Sequence, residues 1–275
     1  MKITKASGLT EELDPAKLRN SLIRSGADPE QAGLIIDSIL KEIHPLSNTK
    51  KIYRVAKKYL RQINHASGLR YSLKRALFRL GPSGYPFEKY VAEVLKHYGY
   101  RTQTGIFIEG KCVRHEIDVF AVKDDEVSLV ECKYHNRAGT TSDVKTAMYV
   151  HARFQDLKPV INSQYPGKKY NSWLITNTRC TSDAEQYAEC SGLQVKSWRY
   201  PEGSSLQKMI EDKKLYPVTI ISGVKSRLIK TFFDHDIVLI KDLAGMEAEE
   251  IELKLSLKKS KAKTLKKQAD ALCLC

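Results

Sequence analysis

Apolar residues recur with different periods in three stretches of the chain. In residues 1–80 the spacing is helical. Leu18, Leu22 and Ile23 follow Asp14-Pro15, and Ile35, Ile36, Ile39 and Leu40 follow Asp28-Pro29. An aspartate N-cap with proline at the first helical position is a strong start signal, because the aspartate satisfies an orphan N–H and proline lacks one. This pattern predicts a short hairpin, two helices, a third over residues 49–64 and a fourth over 69–80. Gly81-Pro82-Ser83-Gly84-Tyr85-Pro86 then breaks it and marks a domain boundary. Beyond the break, Phe87, Val91, Val94, Leu95 and Tyr98 line one face of a helix that Gly99 ends. Strand-like runs follow at 100–108, 116–122 and 127–132, then a helix at 142–157, a strand at 172–176, a helix at 182–191 and a strand at 193–198. Helix, three strands, helix, strand, helix, strand describes a mixed α/β sheet flanked by helices. Residues 206–275 read as helical throughout.

With 275 residues, 42% of them apolar, the chain can bury more than one core. The reading divides it at 1–80, 83–200 and 206–275. No run of 18 apolar residues is present, which predicts no membrane span. The opening MKITKASGLTEELD lacks an apolar leader core, so a cytoplasmic location is expected. The six cysteines, Cys112, Cys132, Cys180, Cys190, Cys273 and Cys275, form neither a CxxC pair nor a zinc-spaced cluster. The formal charge is +14, which favours polyanionic partners, DNA first. Two regions concentrate it. Residues 50–80 hold ten Lys or Arg and no acid, and residues 253–268 hold seven Lys and no acid.

The middle stretch carries the chemistry. Glu116-Ile117-Asp118-Val119 closes one predicted strand, and Val130-Glu131-Cys132-Lys133 closes the next. Alternation along a strand sends Glu131 and Lys133 the same way. A hairpin through Lys123-Asp124-Asp125-Glu126 brings Asp118 beside both. Two carboxylates and one ammonium at a single spot are what phosphodiester hydrolysis asks for. The carboxylates, helped by the Cys132 carbonyl, hold Mg²⁺ (or Mn²⁺), and the lysine orients water or offsets transition-state charge. Taken alone, Glu-x-Lys on a strand is commonly a surface ion pair. Here it ends a buried run, where unpaired charge is costly. In the helix that follows, Lys145, Tyr149 and Arg153 share one stripe. That stripe reads as a DNA-contacting face or as a solvated one.

Phe87-Glu88, Glu116-Ile117-Asp118, Glu131-Cys132-Lys133 and Leu174-Ile175-Thr176-Asn177 resemble the PD-(D/E)xK nucleases, and more narrowly the Mrr-type restriction endonuclease domain. The resemblance covers about 83–200. It implies a restriction-endonuclease-like core with Asp118 and Glu131 on the metal, Lys133 as catalytic lysine and Glu88 as an additional acid. Glu116 stands where many relatives have Gly.

Residues 3–18, with Ile3, Lys5, Gly8, Glu11, Asp14, Lys17 and Leu18, resemble the start of an ATP-cone domain extending to about residue 80. Ala6 replaces that family's usual Arg and Leu13 its Phe. The resemblance implies ATP or dATP as effector, with Lys5, Gly8 and Lys17 near the phosphates. Residues 218–252 resemble a helix-hairpin-helix module that holds DNA backbone. A plain helical cap or dimerisation element is the other reading of that stretch.

Together these readings predict a Mg²⁺-dependent DNA endonuclease of restriction or DNA-processing type under nucleotide control. The alternative is a nucleotide-responsive DNA-binding regulator without catalysis. A homodimer is expected if both strands are cut, since that takes two sites.

Overall fold

The structure is a computed structural model that describes residues 1–5 and 8–273. Ala6 and Cys275, noted above, lie outside the described residues. The chain opens with the hairpin β1 (Lys2–Thr4) and β2 (Thr10–Glu12). Helices α1 (Pro15–Arg24) and α2 (Pro29–Glu42) follow. Asp14 accepts from the Lys17 N–H, and Asp28 forms a reciprocal capping box with Gln31, so both start where their Asp-Pro pairs predict. Next come α3 (Thr49–Ile63), α4 (His65–Arg70) and α5 (Leu73–Leu77).

The single helix expected over 69–80 is thus two short ones. Asn64 ends α3 and caps α4 through the Ala66 N–H. Gly68 lies directly on α3, where an added Cβ would come within 2.1 Å of Arg61 Cγ, so α4 is held by close packing rather than by length.

The central region begins with α6 (Tyr85–His97) and the antiparallel strands β3 (Arg101–Glu109), β4 (Arg114–Lys123) and β5 (Glu126–Lys133). After the two-residue strand β6 (Thr141–Ser142) come α7 (Val144–Gln164), β7 (Lys169–Thr176), the two-residue β8 (Arg179–Cys180), α8 (Ser182–Ser191), β9 (Gln194–Lys196) and α9 (Leu206–Asp212). The main sheet runs β3-β4-β5-β7-β9, with β5, β7 and β9 parallel and α7 crossing between the first two. Helix α7 continues through Pro159, past the predicted end at 157. The remainder is a 3₁₀ turn and helices α10 (Ser226–Asp234), α11 (Ile240–Ala244), α12 (Ala248–Lys254) and α13 (Lys259–Cys273).

Two compact units result. Phe78–Tyr216 is one, and Met1–Leu77 with Pro217–Cys275 is the other. The two ends of the chain, treated as separate segments in the sequence reading, therefore share a unit. Within it α4 packs on α13, and Thr219 donates to the Ala76 carbonyl at 2.7 Å. The five-residue α5 is too short to bury its own apolar face. Helix α9 belongs to the central unit. There Tyr98 donates to the Met209 carbonyl at 3.0 Å and Tyr90 to that of Leu215 at 2.7 Å.

The core that positions the site lies between the sheet and α7. Ile117, Phe120, Val127 and Leu129 meet Phe154, Leu157 and Ile161. Strand alternation then sets Glu131 on the face of Val127 and Leu129, and Asp118 on that of Phe120. A second cluster joins Ala147 and Val150 of α7 to Ala184 and Ala188 of α8.

Candidate active site

Strand β4 does not end at Asp118, as the sequence reading has it. It pairs with β3 from Arg114 onward but with β5 only from Val119. Asp118 sits where β4 peels away from β5. On its other side the ladder skips Gly105, whose backbone is left-handed at φ +63°. A polar side chain can stand there because regular pairing stops around it. The Cys132 N–H donates to Asp118 Oδ2 at 2.7 Å, replacing a ladder bond and fixing the carboxylate between the strands.

Glu131 is one step along β5. Its carboxylate is ion-paired with Arg153, whose other guanidinium nitrogen donates to the Glu116 carbonyl. Arg153 therefore closes the wedge between β4 and β5, and its side chain is only 14% exposed. The stripe it shares with Lys145 and Tyr149 divides. Lys145 and Tyr149 face solvent, whereas Arg153 turns inward and lies over the Tyr149 ring at 5.4 Å. The apolar neighbours Val150, Phe154 and Leu157, which line the same crevice, are the signal that could have shown its inward turn.

Lys133 ends β5 with its side chain exposed, and its charge favours ionisation of both Asp118 and Glu131. Even so, burial raises the carboxyls of Asp118 and Glu131 above their usual range. Glu88, on the first turn of α6, is pushed up to about 7 by burial, and then by the negative charges of Asp118, Glu116 and Glu131. This is a pocket of acids short of positive charge, as expected of one that takes a cation. Burial and the charges of Asp118, Glu88 and Glu131 hold the Cys132 thiol well above its normal range. What Cys132 offers the site is its main chain. Among the described residues no three His, Cys, Asp or Glu side chains form a ready-made metal cage.

The raised Glu88 carboxyl has a measurable consequence. Its folded-state value lies above its unfolded one, so its contribution to stability is complete below about pH 4.5 and is lost as pH rises toward 7. Chemical denaturation in EDTA is expected to show a loss of about 1–2 kcal/mol over that window, because the side chain is only partly buried and solvent screens part of the effect. Glu88→Gln should remove this dependence; a slope unchanged in the variant would mean another group is titrating.

A second polar cluster braces the strand end just beyond Lys133. Asn177 is fully buried; its Oδ1 accepts from the His135 N–H at 2.9 Å and its Nδ2 donates to the His135 carbonyl at 2.8 Å. His135 Nε2 also meets the buried Ser142 Oγ at 3.0 Å. The sequence reading noted Asn177 but gave it no role. Its signal is an amide at the end of a buried strand, where only a paired polar group is tolerated. Asn177→Ala leaves two main-chain groups of His135 unpaired and should destabilise the fold by about 2–3 kcal/mol, read by urea unfolding.

Of the residues proposed for nucleotide contact, Lys5 and Gly8 lie in the N-terminal hairpin and Lys17 in the first turn of α1. Lys5 pairs with Glu11, and Lys17 with Asp14 at 3.4 Å. Gly8, at φ +84°, makes the turn and donates to the Lys5 carbonyl at 3.0 Å.

Comparison with known proteins places this geometry. The restriction endonuclease family matches residues 81–199, and the family described as AF1548-like, C-terminal matches residues 216–273. An uncharacterized protein of Archaeoglobus fulgidus is 34% identical over 172 residues, 62% of this chain and 94% of that protein. The crystal structure of AF1548, a protein of unknown function, matches with a TM-score of 0.59 at 30% identity, over 70% of this chain and 100% of that one. The chain belongs to the AF1548-like family. In this AF1548-like protein, residues 81–199 are a restriction endonuclease domain of the PD-(D/E)xK type, and Asp118, Glu131 and Lys133 all fall inside it. The mixed sheet flanked by helices is that domain's core. Among the described residues no helix is long and apolar enough to cross a membrane.

Proposed function

We propose that the protein is a divalent-metal-dependent DNA endonuclease, of restriction or DNA-processing type, that hydrolyses phosphodiester bonds at Asp118, Glu131 and Lys133. The observation that carries this reading is the opening of the sheet at Asp118, which gathers two carboxylates, a lysine and a third acid within a nuclease domain. The donors are hard oxygens: two carboxylates and the main chain of Cys132. They fit Mg²⁺ or Mn²⁺, ions held by one or two carboxylates and completed by substrate phosphate and water rather than by a full protein cage. When bound, such an ion offsets the charge on the attacking and leaving oxygens.

The chain's own residues do the rest. The Cys132 N–H keeps Asp118 aimed into the opening. Glu131 would have to release Arg153 to hold a cation, which makes Arg153 a guard on the acidic pocket. Lys133 donates hydrogen bonds to the attacking water or the phosphoryl oxygen and offsets developing negative charge. Glu88, the third acid at the opening, is the group that would take the water's proton.

The test is nicking of supercoiled plasmid in about 5–10 mM Mg²⁺, enough for a weakly held hard cation. Wild type should cut and Asp118→Ala should not. ATP and dATP belong in parallel reactions, because the ATP-cone resemblance at Lys5, Gly8 and Lys17 predicts that one of them changes the rate. Tight, salt-sensitive DNA binding with no cleavage of plain, methylated or branched DNA would instead favour the non-catalytic regulator.

A further inference from the structure

The C-terminal part of the chain holds a cavity that the nuclease site does not use. It measures about 550 Å³ and lies between one side of α10, the turn joining α12 to α13, and the first turn of α13. Lys225, Arg227, Lys254 and Lys261 line it, with His235 and Thr231. Among the described residues no acidic side chain lines it. Four like charges around one space repel one another in the free protein, and an anion in their midst relieves that repulsion.

Helix α10 is nine residues long, and Lys225 at its N-cap and Arg227 in its first turn both border the cavity. Arg227, Thr231 and His235 recur at four-residue spacing, so the cavity runs along one side of α10 from its N-cap to its C-cap. The walls are also tied together. Lys261 Nζ donates to the Gly223 carbonyl at 3.1 Å, which joins α13 to the loop before α10. Ser256, at φ +49°, makes the tight turn that presents Lys254 beside them.

The lining also shows what kind of anion fits. Apart from the His235 imidazole it has no aromatic ring, so a nucleobase would find no stacking plate. Recognition through phosphates alone, in a space larger than one phosphate group, points to a nucleic-acid backbone rather than a free nucleotide.

We infer that this cavity is a sequence-independent seat for the DNA phosphate backbone, with Lys225, Arg227 and Lys254 as its principal cations. The inference deepens the proposed function, on which it rests for the identity of the polyanion.

Binding of a labelled duplex to the full-length chain, in EDTA and over a salt series, tests it without requiring cleavage. Each phosphate contact contributes about 0.9 to the slope of log affinity against log salt. The triple variant Lys225→Ala/Arg227→Ala/Lys254→Ala should lower that slope by about 2–3 and weaken binding at least about tenfold near 0.1 M salt, whatever the duplex sequence. Lys225→Arg/Lys254→Arg, which keeps the charges, should retain most of the slope. An unchanged slope in the triple variant would overturn the inference. So would thermal stabilisation by ATP or tripolyphosphate that the triple variant loses while its duplex binding stays intact, since the cavity would then be a small-polyphosphate site. If the slope falls as expected but wild type cuts no DNA in Mg²⁺, the seat stands and the nuclease assignment fails.

Discussion

Lys133→Ala is expected to lower the rate of plasmid cleavage by at least about 10²-fold, the loss typical of removing a positioned donor or proton-transfer group from a transition state. Its DNA affinity, measured in EDTA, should change by less than about 1 kcal/mol, because one exposed lysine on a protein of +14 charge adds little to ground-state binding. The split between rate and affinity is the informative part. Lys133 is exposed at the end of β5, outside the core that holds the strand. Its removal leaves the strand and the Asp118–Cys132 hydrogen bond in place. A loss of cleavage therefore cannot be assigned to collapse of the site. Lys133→Arg should rescue poorly, since a planar guanidinium on a longer stem does not reproduce a compact ammonium. If both variants cut at the wild-type rate, Lys133 is an ordinary surface lysine and the catalytic reading is wrong.

Several elements were legible because their residues state their environment locally. The Asp-Pro helix starts, the helix bearing Phe87, Val91, Val94 and Leu95, and the hairpin across Asp124-Asp125 all rest on short-range rules, and the structure has each of them. The closeness of Asp118 to Glu131 followed from that hairpin alone. What stayed hidden depends on distant partners. Where Asp118 falls within β4 is decided by its neighbours: β3 pairs along the strand from Arg114, whereas β5 joins only from Val119 onward. Arg153 read as the last member of a DNA-contacting or solvated stripe because its acceptors, Glu131 and the Glu116 carbonyl, lie 22 and 37 residues away in sequence. The shared unit of the two chain ends rests on packing between α4 and α13, for which periodicity within either helix carries no signal.

Arg153→Ala is expected to make the stability of the protein depend on divalent cation. With Arg153 present, the charge of Glu131 is answered by an ion pair whose two side chains are 14% and 22% exposed. Without it, Glu131 and Asp118 are left close together in a partly buried acidic pocket, where burial already raises both carboxyls. Breaking a buried pair by removing one partner costs more than the pair contributes, because the remaining charge has no counterpart. Allowing for the residual exposure of Glu131, the variant should be about 2–4 kcal/mol less stable than wild type in EDTA. Acidification should return part of that loss, since Asp118 and Glu131 would be neutralised more readily once the guanidinium that favours their charged forms is gone. Mg²⁺ should return more. A cation that binds only the folded state stabilises it in proportion to the logarithm of its concentration over its dissociation constant, and in the variant it no longer competes with Arg153 for Glu131. Melting curves of wild type and Arg153→Ala across a Mg²⁺ series should therefore converge as the ion is added. Adding Glu131→Gln to Arg153→Ala should recover stability in EDTA and abolish the Mg²⁺ response, because the orphaned charge and the ion's ligand are the same carboxylate. A loss of equal size at every Mg²⁺ concentration would make Arg153 a purely structural bolt between β4 and β5, and would separate it from the metal chemistry altogether.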